Sequence, residues 1–134
     1  MSRIVLIEDD EPIAELLSMN LEAAGYQVAI ARDGVSGLRL VRASAPDLIL
    51  LDVMLPGMGG IEVCRRVRRG SGPPVILLSA GDAEGERAVG LDAGAADYIT
   101  KPFSIRDLLS RVAEVLHRTS DRAHEESSLP NRTY

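Results

Sequence analysis

Four chemically capable stretches of this chain each stand directly behind an apolar run. Ile4-Val5-Leu6-Ile7 stops at Glu8-Asp9-Asp10-Glu11, and Leu48-Ile49-Leu50-Leu51 stops at Asp52. Val75-Ile76-Leu77-Leu78 stops at Ser79, and Ala95 to Thr100 leads into Lys101-Pro102. Carboxylates crowded into one place repel each other and resist ionisation. The ordinary remedy is a hard divalent cation with oxygen ligands, and Mg²⁺ suits because it keeps waters and bridges carboxylates to phosphate. Lys101 supplies a point charge for a phosphate oxygen, and Ser79 a hydroxyl donor. Asp52 then stands where a nucleophile attacks phosphorus in line, and the product is an aspartyl phosphate. Each piece alone is weak. Asp and Ser are common turn residues, and acids commonly open helices. The force lies in all four occurring at successive run ends.

The intervening sequence supplies the elements that would position them. The apolar runs, rich in Val, Ile and Leu, read as strands buried on both faces. Pro12 suits a first helical turn, Ile13, Leu16, Leu17, Leu21 and Ala24 follow at helical spacing, and Gly25 closes that helix. Residues 26–31 form a second strand. Asp33 caps a helix carrying Val35, Leu38 and Val41 inward until Pro46. Pro56, Gly57, Gly59 and Gly60 make a loop after Asp52. Ile61, Cys64 and Val67 give a third helix with Arg65, Arg66, Arg68 and Arg69 on its solvated side. Asp82 to Ala93 is a poor helix, because Gly85 and Gly90 each cost about 1 kcal/mol relative to Ala. Ser104 with Asp107 resembles a capping box, and Ile105, Leu108, Leu109, Val112, Val115 and Leu116 form the clearest helical stripe. After Arg118 the apolar period stops. Residues 119–134 therefore read as a disordered tail or a truncated linker, and residues 1–118 as the domain.

Five strands alternating with five helices imply a parallel sheet covered on both faces. The expected fold is a flavodoxin-like (βα)5 doubly wound α/β sheet of order 2-1-3-4-5, with its switch point between the first and third strands. Composition excludes other classes. Aromatics are 3% with no Trp, which leaves little for base stacking, and a net charge of -5 opposes nucleic-acid binding by this domain. One cysteine, Cys64, excludes an internal disulfide and fits a reducing compartment. No run is long enough for a signal peptide or a membrane span, so a cytoplasmic location is expected.

Over residues 3–118 the chain resembles the receiver domain of two-component response regulators. The resemblance rests on Val5-Leu6-Ile7-Glu8-Asp9-Asp10, Leu48 to Pro56, Ile76-Leu77-Leu78-Ser79-Ala80 and Gly94 to Phe103. It implies Asp52 as acceptor of a phosphoryl group from a sensor histidine kinase. It implies Asp9 on Mg²⁺ directly, Glu8 through water, and the Met54 backbone carbonyl as a further ligand, with Asp10 the register alternative for the acidic pair. Lys101 would hold the phosphoryl group, and the Lys101-Pro102 bond would be cis. Ser79 and Tyr98 match the switch pair. Phosphorylation would draw in the Ser79 hydroxyl, Tyr98 would turn inward, and the helix at 82–93 would move. Such a domain is not an enzyme in the usual sense, since it catalyses only its own phosphorylation and dephosphorylation.

Asp97-Tyr98-Ile99-Thr100-Lys101-Pro102-Phe103 is most similar to OmpR/PhoB-type regulators, which carry a winged-helix DNA-binding domain. That implies control of transcription through an effector domain outside these 134 residues, although a stand-alone regulator with a tail is the alternative. It also implies a homodimer through the last two helices and last strand, with Asp92, Asp97, Asp107, Arg111 and Arg118 on that face. Val89 and Ala96 stand where the subfamily usually has charges, so the set is incomplete. Apolar Met54 and side-chain-free Gly81 imply slow loss of the phosphoryl group. A haloacid-dehalogenase-type phosphatase also uses a strand-end Asp, but needs a second acid two residues later, where this chain has Met54.

Overall fold

The computed structural model describes residues 1–81 and 84–128. The elements alternate without exception: β1 (Arg3–Ile7), α1 (Glu11–Ala23), β2 (Gln27–Ala31), α2 (Gly34–Ser44), β3 (Leu48–Asp52), α3 (Gly60–Arg69), β4 (Val75–Ser79), α4 (Glu84–Asp92), β5 (Asp97–Thr100) and α5 (Ile105–Ser128). All strand pairings are parallel and the order is β2-β1-β3-β4-β5. This is the flavodoxin-like sheet expected from the sequence, with its switch point between β1 and β3.

The unbroken apolar runs exist because both sheet faces are covered. Val5, Ile7, Ile49, Leu51, Val75 and Leu77 point to the layer containing α2 and α3, where they meet Leu38, Val63, Cys64 and Val67. Ile4, Leu6, Leu48, Leu50, Ile76 and Leu78 point the other way, to Leu17 and Leu21 of α1 and Leu108, Val112 and Val115 of α5. Residues β3 and β4 contribute are buried along their whole lengths. The two layers clamp the sheet, so its strand ends are fixed in space by the core rather than by loops.

Two helices pack differently from their apolar spacing. Leu16, expected on the inner stripe of α1, is 50% exposed, because Ala14, Leu17 and Leu21 occupy that face. Val35, expected inward on α2, is 47% exposed, and Gly34, Gly37 and Leu38 are buried instead. A Cβ on Gly37 would lie 2.4 Å from Ile7 Cδ1, and one on Gly34 would lie 2.6 Å from the Met58 carbonyl oxygen. α2 approaches so closely that glycine is its contact surface.

The helix ends follow local chemistry. Asp33 accepts the Ser36 N–H at 2.8 Å, as a cap should. Ser104 accepts the Asp107 N–H at 2.9 Å, but the Asp107 carboxylate turns to Arg111 at 3.2 Å, so the box is half-formed. α5 continues to Ser128, where the apolar pattern predicted an end at Arg118. No Gly or Pro interrupts residues 119–128, and extending an existing helix is far easier than starting one. Residues 129–134 of the expected tail lie outside the described residues, as do Asp82 and Ala83 at the expected start of α4. Among the described residues no helix is long and apolar enough to cross a membrane.

Candidate functional site

The C-terminal sheet edge gathers the residues singled out in the sequence. Register carries them there. Ile7 pairs with Leu51, Asp52 with Leu78, and Ser79 with Thr100. Main-chain bonds continue past the strand ends: the Glu8 N–H donates to Ala31 O at 3.0 Å, Val53 N–H to Leu78 O at 2.9 Å, and Lys101 N–H to Ser79 O at 2.6 Å. The chain then folds back over Asp52. The Gly60 N–H donates to Val53 O at 2.9 Å, and a Cβ on Gly60 would lie 2.2 Å from the Asp52 carbonyl oxygen. Only glycine fits there.

Glu8, Asp52 and Ser79 are the buried polar residues of the core, and each is held. Lys101 reaches across from the end of β5, with Nζ 3.1 Å from Glu8 Oε1 and 3.5 Å from Asp52 Oδ2. The Met54 N–H donates to Asp52 Oδ1 at 3.1 Å, and the Asp10 N–H to Glu8 Oε2 at 3.3 Å. Lys101-Pro102 is a cis peptide. One ammonium between two buried carboxylates leaves an excess of negative charge. Burial first, then the hydrogen bond and charge of Asp52, push Glu8 up from 4.5 to about 7, against the downward pull of Lys101. Burial alone would lower Lys101, but the Glu8 hydrogen bond and the Asp52 and Glu8 charges outweigh it, and the net shift is upward.

Glu8, Asp9 and Asp52 each present a carboxylate oxygen, and the three lie within 4.8 Å of one another. An all-oxygen donor set with residual negative charge fits a hard divalent cation. Asp10, the register alternative, is used elsewhere: its side chain caps α1 by accepting the Ile13 N–H at 3.1 Å.

Ser79 and Tyr98 are neighbours, joined through a residue the sequence reading did not single out. The Ser79 hydroxyl and the Tyr98 hydroxyl both bond Glu86 Oε1 on α4, the latter at 2.7 Å. Tyr98 is only 2% exposed, so it already lies inward. The Arg87 guanidinium stands 6.0 Å from its ring centre. Glu86 lies four residues before Gly90, on the helix face where a Gly90 Cβ would meet Leu77 and Tyr98, a placement that the sequence alone does not signal. The space at Gly81 is not empty either, for a Cβ there would lie 2.7 Å from Glu86 Oε2.

Of the residues expected on a dimer face, Arg111 pairs within the chain, at 3.0 Å from Asp97 and 3.2 Å from Asp107. Asp92 and Arg118 are exposed and make no contact with that cluster among the ion pairs described. The four arginines of α3 are exposed except where Glu62 and nearby carbonyls engage Arg65, Arg66 and Arg68.

Known proteins share this fold. The Francisella response regulator 1452 receiver domain is 35% identical over 89% of this chain and 99% of its own, with a TM-score of 0.85. The activated N-terminal receiver domain of Klebsiella pneumoniae RstA is 33% identical over 85% and 97%, with a TM-score of 0.82. A CheY-like receiver domain protein of Methanospirillum hungatei is 31% identical over 91% and 98%, with a TM-score of 0.86. The response regulator receiver domain family profile matches residues 4–113, and with the sheet order and the acidic edge this places the chain in the receiver domain family of two-component response regulators.

Proposed function

We propose that Asp52 accepts a phosphoryl group from a phosphohistidine of a sensor kinase. The observation that carries this is the single cation, Lys101, between two buried carboxylates at the switch point, with Asp9 beside them. Glu8, Asp9, Asp52 and the Met54 carbonyl would hold Mg²⁺, which when bound supplies positive charge for the phosphoryl oxygens. An Asp52 carboxylate oxygen attacks phosphorus and the P–N bond to the kinase imidazole breaks. The bonding pair leaves with the imidazole nitrogen. Lys101 and Ser79 hold phosphoryl oxygens. Water later attacks the acyl phosphate and regenerates the carboxylate, so the chain catalyses only its own phosphorylation and dephosphorylation. Intact mass after incubation with Mg²⁺ and acetyl phosphate tests this. The wild type should gain one phosphoryl group, while Asp52→Asn and an EDTA control should not. No gain in the wild type despite Mg²⁺ binding would overturn it.

The domain reports to a kinase and an output in the cytoplasm. The OmpR/PhoB-like phrase around Tyr98 supports transcriptional output through a DNA-binding effector outside this chain. The Arg111 cluster on β5 and α5, together with exposed Val89 and Leu91 on α4, supports a homodimer through α4, β5 and α5 on phosphorylation. Two similar structures are named as BeF3-activated receiver domains, RstA and DrrB, and the same ligand should load this chain. Size exclusion of the loaded form then reads the dimer. Apolar Met54, 70% exposed, supports a long-lived phosphoryl group. A side chain at 81 would displace Glu86, so Met54→Asn alone is the cleaner probe. It should speed loss of the group, and an unaltered rate would refute the assignment.

A further inference from the structure

We infer that Glu86 is a positioning residue of the switch: its carboxylate holds the proton of the Ser79 hydroxyl, and a phosphoryl group on Asp52 must win it. This rests on reading Asp52 as the phosphoacceptor and Ser79 as a donor to its phosphoryl group. A hydroxyl has one proton to donate. The Ser79 oxygen accepts the Gly81 N–H at 3.0 Å and shares its proton with Glu86 Oε1. Ser79 therefore cannot donate to a phosphoryl oxygen while it donates to Glu86. The competing bond is charge-assisted, the stronger kind. The Ser79 bond first, and the Tyr98 bond second, hold the Glu86 carboxyl below its usual range, so it is the charged form that binds them.

The geometry also says what changes on activation. Tyr98 is already inside, so its inward rotation is not the step that remains. What remains is transfer of the Ser79 proton bond from Glu86 to the phosphoryl group. Glu86 then keeps the Tyr98 hydroxyl, and the first turns of α4 lose a tether to β4. The site around Glu86 is cleared by glycine on both sides. Gly81 leaves room for Oε2, and Gly90, one turn on, lets the helix lie against Tyr98.

The experiment is titration of the full chain with BeF3⁻ in saturating Mg²⁺. Glu86→Ala should bind about tenfold more tightly than wild type, the size of one lost hydrogen bond to a charged group. Glu86→Gln should tighten binding less, because a neutral acceptor competes less well. Gly81→Ala should also tighten it, since its methyl displaces only the flexible end of Glu86. In a Ser79→Ala background Glu86→Ala should have no effect, a dependence that general loosening of α4 would not produce. Without ligand, amide exchange across α4 should quicken in Glu86→Ala and stay unchanged in α3. Should Glu86→Ala fail to fold, Glu86→Gln and Gly81→Ala decide the question. Unchanged or weaker binding in the Glu86 variants, or a gain that survives without Ser79, overturns the inference. Absence of BeF3⁻ binding by wild type, or equal binding by Asp52→Asn, would instead overturn the reading of the site beneath it.

Discussion

α3 and α4 cover adjacent strands on the same side of the sheet, yet they are attached in opposite ways. α3 begins with Gly60 wedged on the Asp52 carbonyl and sends Val63, Cys64 and Val67 into the core. α4 offers Gly90 as its buried residue among those described, while Val89 and Leu91 face solvent at 45% and 42%. Besides the close approach of Gly90 to Leu77 and Tyr98, its tie to the sheet is polar: Glu86 to Ser79 and Tyr98. A helix held by burial moves only if the core moves with it. A helix held by one carboxylate moves when a competitor takes its partners. On the proposed function, the wall beside the acceptor would thus be fixed and the wall beside the switch exchangeable. A phosphoryl switch needs both, because the chemistry requires a constant geometry and the signal requires a changing one.

The sharpest way to break this contrast is to add one methyl to each helix start. Gly60→Ala places a Cβ against the backbone of Asp52 and Val53, neither of which can yield, and should cost about 3 kcal/mol in urea unfolding. A cost under about 1 kcal/mol would mean that α3 is not wedged. Val63→Ala comes next. Removing two methyls from a fully buried site should cost about 2 kcal/mol, whereas Val89→Ala on α4 should stay within about 0.5 kcal/mol. Equal costs would erase the distinction between the helices. Gly85→Ala is smaller and of opposite sign. Nothing lies within 4 Å of its Cβ position, so the helix-forming gain of about 0.5–1 kcal/mol should appear as added stability.

The last contrast is electrostatic and shallow. Glu8, on the fixed side, has its folded value raised from 4.5 to about 7. Between those values the metal-free folded state keeps a proton that the unfolded chain has lost, so stability falls as pH rises across that window. Glu86, on the exchangeable side, is lowered from 4.5, so its contribution is present above that value and is lost as pH falls below it. Glu8→Gln should flatten the profile between 4.5 and 7, and Glu86→Gln should flatten only its acid limb, both read from melting temperature against pH. A shared slope change would show that the two carboxylates belong to one coupled system.

Legibility differed between these regions for a physical reason. Asp52, Glu8 and Lys101 announced themselves because a doubly buried strand has no face for a charge, so a charge can stand only at its end. Glu86 gave no such sign. It lies on a half-exposed helix, where an acid is ordinary. Its meaning comes from residues seven before it and twelve after it. Leu16 and Val35 misled for a related reason. Helical periodicity marks apolar residues, but on α2 the buried surface includes Gly34, against Met58 and Val63, and Gly37, against Ile7, which carry no apolar signal. The extension of α5 was also silent, since residues 119–128 carry no apolar period.

Local sequence rules were enough to set the alternation of strands and helices, the doubly wound sheet and the four strand ends where the polar residues gather. Those follow from local rules: burial of apolar runs, handed connections and caps such as Asp33. The tertiary structure decided which acid joins the carboxylate cluster and which caps a helix, separating Asp9 from Asp10. It alone decided that Tyr98 lies inward, and that Ser79 and Tyr98 share one carboxylate. Such choices depend on distances of a few tenths of an ångström between elements far apart in the chain, and those distances exist only once the core has closed.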